Sequence, residues 1–525
     1  MTAPVLMVLG TASSVGKSVL VTALCRIFRQ DGVRVAPFKA QNMSNNADVT
    51  ADGREIGRAQ SEQAAAAGLA PTVDMNPVLL KPQGDRTSQL VLEGRPAGLL
   101  HSADFIGRKR DLWPAVERAL ERLRGGYELV VAEGAGSPAE PNLRAGDIVN
   151  MRVARHAGAP VLLVGDIDRG GVFAHLLGTL EFLPPEDRAL VRGFVINRFR
   201  GDPALLTPAI EELEARTGVP VLGVIPWLDE LRVAQEDAVA LERPDTGRRG
   251  AQHAAGIVDI AVVRLPRIAN FDDFDPFVDE PGVRLRYVAS TDDLGRPSLI
   301  VLPGTKATVA DLAWLRRTGL ADAVLALHEA GTPVFGVCGG FQMLGERLCD
   351  PHGVEAAAGT EVAGLGLLPL STVFSAEKTT RRATGRVEAH EGPWAAAGGV
   401  GVSGYEIHMG RSEPTGDGVS PLFTLDGRPD GAVAEDGLVA GGYLHGLFHN
   451  EALRAALLAG LGRPATAAES RAFDREREFD RLAQHVRSHL DLDAVWALLW
   501  PGLPTSSSVV GASFWERTPL QRRRR

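Results

Sequence analysis

The chain has 525 residues, too many for a single hydrophobic core, so two or more domains are expected. Apolar content of 45% and charged content of 23% are ordinary for a globular protein, the net charge of −9 argues against a nucleic-acid binder with a broad basic face, and no apolar run reaches the length needed to span a bilayer. Cys25, Cys338 and Cys349 are too few for a disulfide framework and fit a reducing, cytoplasmic setting.

Residues 5–9 (VLMVL) form a short apolar run without a basic leader, read as a first strand and not as an export signal. The segment GTASSVGKS follows at 10–18, then a helical stretch to about residue 30. Strand, Gly-rich loop and helix are the context of a phosphate-binding loop. Backbone N–H groups and the helix N-terminus would cradle phosphates, Lys17 would reach the β- and γ-phosphates, and Ser18 would bind Mg²⁺. Five residues, not four, separate Gly10 from Gly16, which departs from the strict pattern. The competing reading is a Gly-rich turn with an exposed lysine. Cys25, within the helix, reads as core packing.

KAQNMSNN at 39–46 is dense in amides and hydroxyls at the end of a strand expected over 33–38. It suits polar ligand recognition or a solvated turn equally. Residues 51–68 read as an alanine-rich helix, 75–82 as a stiff proline-bracketed segment, and 112–123 as an amphipathic helix. A buried strand at 127–132 ends in Glu133, the candidate metal partner of Ser18. Further apolar strands at 159–164, 193–196 and 221–225 end in DIDRGG, NRFRGD and Pro226. Strands alternating with helices predict a parallel sheet with ligands at the carboxyl ends, where these polar clusters fall.

Residues 236–256 lack periodicity and read as a linker. Strands resume at 257–263 and 298–302, the latter ending in PGTK. GVCGGFQ at 336–342 places Cys338 at a sharp strand-to-helix turn between glycines, with a helix expected over 341–348. That is a nucleophile elbow, where the helix N-terminus favours the thiolate. GYEIHMG at 404–410 and GYLHGLFHN at 442–450 follow, and a helical segment over about 467–499 is expected to close the second domain. The remainder, with its serine run and four final arginines, reads as a disordered tail. The expected organisation is a first domain over 1–235, a linker over 236–256, a second domain over 257–500 and a tail over 501–525. Both domains are expected to be three-layer α/β/α folds.

The spacing of Gly336, Cys338, Gly340 and Gln342 resembles the class I glutamine amidotransferases. The resemblance implies that Cys338 attacks the side-chain amide of glutamine and that a distant histidine handles the protons. His445 is the candidate; His408 and His449 are weaker. Gly339 and the loop at Gly304 would form the oxyanion hole, and Gln342 would help hold glutamine. The acid usual two residues after the histidine is absent, since Leu447 stands there. Either another group, such as Glu406, orients His445, or the site is a dyad.

The first domain is similar to the dethiobiotin-synthetase-like proteins, in which Thr11, Gly16, Lys17 and Ser18 have counterparts at this spacing, and an asparagine at Asn197 contacts the nucleotide base. QNMSNN, EIGRAQ, MNPVLLKP, DIDRGG, NRFRGD, RLPRIANF at 264–271 and GYEIH together resemble the cobyric acid synthase family. The resemblance runs from residue 5 to about 499. It implies a two-domain enzyme of cobalamin biosynthesis using ATP, Mg²⁺, glutamine and a corrinoid carboxylate, with residues 41–46 facing the corrinoid. Net charge and the length of the apolar runs point to no nucleic-acid or membrane partner. The alternatives are another ATP-dependent amidotransferase of this architecture, such as cobyrinic acid a,c-diamide synthase, or a P-loop switch or partition ATPase. The last carries a lysine where this chain has Ala12.

Overall fold

The computed structural model describes residues 2–101, 105–229, 231, 257–278, 280–463 and 474–503. The linker expected over 236–256 and the tail beyond 503 lie outside the described residues.

The first sheet contains six parallel strands: β1 (Val5–Gly10), β2 (Val35–Phe38), β3 (Leu129–Glu133), β4 (Val161–Asp166), β5 (Val191–Phe199) and β6 (Val221–Pro226), in the order β6-β5-β4-β1-β3-β2. Both faces are covered, so its strands are nearly all apolar. The two-residue period of β1 sends Val5, Met7 and Leu9 into one apolar layer and Leu6 and Val8 into the other. Helix α1 (Lys17–Gln30) covers the second face through Leu20, Leu24, Ile27 and Phe28.

The helix expected over 51–68 is shorter. A tight turn at Gly53, with φ +74°, closes a hairpin between Ala47–Val49 and Glu55–Gly57, and only α2 (Arg58–Ala66) is helical. Glycine tolerates that positive φ where other residues are strained.

The second sheet runs through β7 (Val258–Val263), β8 (Val283–Val288), β9 (Leu299–Leu302), β10 (Val334–Val337), β11 (Val419–Ser420), β12 (Ala432–Ala434) and β13 (Val439–Gly442), in the order β8-β7-β9-β10-β13-β12-β11. Its first four pairings are parallel and the last two antiparallel. Helix α3 (Gly339–Leu344) follows β10 directly. It is shorter than expected, because Gly345 ends it and Arg347–Asp350 becomes a strand of a small flanking sheet.

The closing helical segment departs from expectation. It forms α4 (Arg475–Arg487) and α5 (Leu492–Leu499), which pack on the first sheet and not on the second. Phe479, Leu482, Val486, Val495 and Trp496 share the apolar layer of α1, and Arg26 on α1 pairs with Glu476 and Asp480. Each fully buried large apolar side chain contributes about 1.5–3 kcal/mol, so this layer holds the two helices firmly.

The two domains meet over a small apolar cluster, Ala47, Val49, Leu79 and Val91 against Tyr405 and Ile407, and over polar contacts. Asn46 and Asn270 exchange backbone–amide hydrogen bonds: the Asn270 N–H donates to Asn46 Oδ1 at 2.7 Å, and the Ala47 N–H donates to Asn270 Oδ1 at 2.9 Å. Arg58 at the start of α2 reaches Asp272 at 2.9 Å, and Lys378 pairs with Glu55.

Candidate functional site

The carboxyl ends of the first sheet surround a cavity of about 1080 Å³. Gly16 ends the phosphate loop at φ +98°, and a Cβ there would lie 2.1 Å from Asn197 Nδ2, so only glycine fits beneath that side chain. Lys17 Nζ donates to the carbonyls of Ala12, at 2.8 Å, and Gly136, at 3.1 Å. The Thr11 hydroxyl oxygen is buried without a hydrogen-bond partner. Ser18 donates to Glu133 Oε1 at 2.8 Å. Glu133 also pairs with Lys39, at 2.9 Å, and accepts from Gln63 Nε2 at 2.6 Å. Burial opposes its charge, but Lys39, Ser18 and Gln63 hold its pKa below the ordinary value. Asn197 Nδ2 donates to the Val15 carbonyl at 2.8 Å. The loop, Ser18, Lys17, Glu133 and Asn197 therefore share one cavity.

The 39–46 segment divides. Gln41, Asn42 and Met43 line the cavity, whereas Asn46 turns onto the second domain. Helix α4 contributes Leu482, His485 and Val486 to the cavity wall.

A second cavity, about 40 Å³, contains Cys338 and His445. Cys338 has φ +50°, a strained conformation for a non-glycine residue, as a nucleophile elbow demands. A Cβ on Gly340 would lie 1.9 Å from the Leu302 carbonyl oxygen, so the elbow is pressed against β9. A Cβ on Gly304 would lie 3.1 Å from His445 Cε1, so the Gly304 loop borders the imidazole closely. Gly339 abuts the Thr305 backbone in the same way. Gln342 lines the slot, but its amide is tied to Thr308 Oγ1, at 3.1 Å, and Tyr443 OH, at 3.3 Å.

Neither Glu406 nor a dyad accounts for His445. Its Nδ1 lies 2.7 Å from Asp273 Oδ2, and the Gly446 N–H donates to Asp273 Oδ1 at 2.7 Å. Burial disfavours the imidazolium, but the Asp273 carboxylate and the Cys338 sulfur together raise the ring pKa to about 10. Glu406 instead pairs with Arg381 and faces His408. His449 is bonded to the Asp272 carbonyl at 3.2 Å. Leu447, in the position of the usual acid, is buried in the apolar core.

Residues 6–240 match the family described as the CobQ/CobB/MinD/ParA nucleotide binding domain, and residues 259–453 the CobB/CobQ-like glutamine amidotransferase domain. Three relatives named cobyric acid synthase are similar along nearly their whole length. That of Roseiflexus castenholzii is 56% identical over 93% of this chain and 97% of its own. That of Chloroflexus aurantiacus is 54% identical over 93% and 98%, and that of Pelotomaculum thermopropionicum 53% over 96% and 97%. The chain belongs to the cobyric acid synthase family. Its membership joins a nucleotide-binding domain to a glutamine amidotransferase domain in one polypeptide.

Sequence reasoning missed one functional residue of this family member, Asp273. The motif at 264–271 stops two positions short of it. The signal was present: FDDFDPF at 271–277 interleaves three acids with buried phenylalanines, a pattern no solvated loop needs.

Proposed function

We propose that the chain is an ATP- and glutamine-dependent ligase that amidates the b, d, e and g carboxylates of adenosylcobyrinic acid a,c-diamide in cobalamin biosynthesis. The observation that carries this reading is the pairing of a thiol–imidazole–carboxylate triad with a phosphate loop in a chain so close to cobyric acid synthases.

In the small slot, the Cys338 thiolate attacks the amide carbon of glutamine. The Gly339 N–H and a backbone N–H of the Gly304 loop receive the developing oxyanion. His445, oriented by Asp273, protonates the departing nitrogen, so ammonia leaves and a glutamyl thioester remains. Water then releases glutamate. In the large cavity, a substrate carboxylate oxygen attacks the γ-phosphorus of ATP, and ADP departs. Ammonia adds to the resulting acyl phosphate, phosphate leaves, and an amide forms. Lys17 offsets charge on the transferring phosphoryl group.

The Ser18 hydroxyl and the Glu133 carboxylate adjoin on the cavity wall and fit Mg²⁺, which takes few protein ligands beside phosphates and water. When bound, Mg²⁺ would neutralise charge on the β- and γ-phosphates. Asn197 has its amide nitrogen on the loop and its oxygen open to the donor group of a base. The cavity wall also suits a carboxylated macrocycle. Met43 and Leu143 expose apolar surface there, with Lys109, Arg144, Arg155 and Arg169 alongside.

Mass spectrometry of the product formed from the corrinoid diamide, ATP and glutamine tests the reading. Four added amides are expected. One or none would overturn it.

A further inference from the structure

The small slot holds more than the thiol and the imidazole. It is also lined by Lys81, Lys306, Lys378 and Glu355. Lys81 and Lys378 are both held by Glu55, at 2.6 and 2.5 Å. Lys306 is different. Its ammonium makes no hydrogen bond or ion pair among the described residues, although it faces the cavity of Cys338. Glu355 is its electrostatic neighbour.

Glu355 is fixed in place. Its carboxylate accepts from the Thr308 N–H at 2.8 Å, and Asp350 accepts from the backbone N–H groups of Val354, Glu355 and Ala356 at 2.7–2.8 Å. Thr308 also donates to Gln342 on the elbow helix, so the acid is tied to the segment that carries the thiol. A buried ammonium with no anion in hydrogen-bond contact is costly unless one joins it. Beside it stands a carboxylate able to receive an ammonium group.

The substrate supplies both complements. With its amide at Cys338, the α-carbon of glutamine and its two charged groups must extend away from the thiol. We propose that Lys306 binds the α-carboxylate, and Glu355 the α-ammonium group, of the glutamine opened at Cys338. This rests on the glutaminase reading above and deepens it. It also gives the Glu55 clamp a role: Lys81 and Lys378 both already engage a carboxylate, whereas the Lys306 ammonium is left to receive one.

The test measures ammonia release by the full chain from L-glutamine, from 4-aminobutanamide, which lacks the α-carboxylate, and from glutaramate, which lacks the α-ammonium group. The rate of Cys338 alkylation by iodoacetamide is followed alongside. Lys306→Met should raise KM for L-glutamine about 10–100-fold, the value of a charge-assisted contact, with a much smaller change in kcat. Lys306→Arg should recover most of the loss. Lys306→Met should treat 4-aminobutanamide as the wild type does, and Glu355→Gln should treat glutaramate likewise. The iodoacetamide rate should hold in both variants. An unchanged KM for L-glutamine overturns the proposal. A fall in alkylation rate matching the fall in kcat/KM also overturns it, since Lys306 would then act on the thiolate. Wild-type protein that releases no ammonia from glutamine overturns the glutaminase reading as well, whereas wild-type turnover with unaltered variants overturns this inference alone.

Discussion

The two cavities are built on opposite principles. In the slot of about 40 Å³, the groups that act with the thiol are pinned: His445 by Asp273, Asp273 by the Gly446 N–H, Gln342 by Thr308 and Tyr443. In the cavity of about 1080 Å³, groups rest in stand-in contacts: Lys17 on loop carbonyls, Glu133 on Lys39. The contrast follows from the ligands proposed. Glutamine is small and always presents the same bond, so rigid complementarity stabilises one transition state. A macrocycle presenting four carboxylates in turn must bind in several orientations, which a closely fitted pocket would forbid.

The largest effect should come from the slot. Cys338→Ala is expected to lower glutamine-dependent amidation by about 10⁵-fold or more while ammonium salts still support synthesis. Equal loss with both nitrogen sources would break the division between the cavities. Asp273→Asn should reduce kcat for glutamine hydrolysis by roughly 10³–10⁴-fold, by analogy with other triads. The same variant has a signature in stability. Because the folded-state pKa of His445 is raised to about 10, the ring's protonation stabilises the fold fully below its unfolded value of about 6.5, and this is lost as pH rises through about 10. Thermal unfolding of wild type against Asp273→Asn across that window should therefore show the gap narrowing with rising pH. A gap independent of pH would remove Asp273 from the triad.

In the large cavity, Lys17→Ala should cost roughly 10²–10³-fold in amidation with either nitrogen source, the usual value of one lost electrostatic contact to a transition state. Retention of full synthesis with ammonium salts would refute the phosphate-loop assignment. Between the cavities, Arg58→Met should lower the unfolding free energy by about 3 kcal/mol in urea titrations, because it strands buried Asp272. A neutral result would mean that the interface tolerates loss of its central cation. The smallest effect, within about 0.5 kcal/mol and without change in glutamine hydrolysis, is expected for Cys349→Ser, whose thiol lies on a half-buried strand outside the slot.

Much of this was readable before folding was considered. The phosphate loop, Glu133 and the Cys338 elbow announce themselves because each needs a fixed local order: strand, special turn, helix. Asp273 did not, since its link to His445 spans 172 positions and depends on tertiary packing alone. The helix read over 51–68 failed for a local reason: alanine-rich composition hid the turn at Asp52 and Gly53 that makes a hairpin. The placement of α4 and α5 was unreadable in another way. Their amphipathic pattern required an apolar partner but did not say which sheet would provide it.

That placement has a topological consequence. Because α4 and α5 rejoin the sheet of α1, the glutaminase half is an insertion within the synthetase half, entered after β6 and left before residue 474. Two covalent tethers, rather than one, connect the halves, which restricts relative swinging and keeps the ammonia source beside its consumer. It also sets how the protein can be dissected. Removing everything after residue 463 would not yield a trimmed glutaminase; it would strip Phe479, Val486 and Trp496 from the nucleotide-binding core and His485 from its cavity wall.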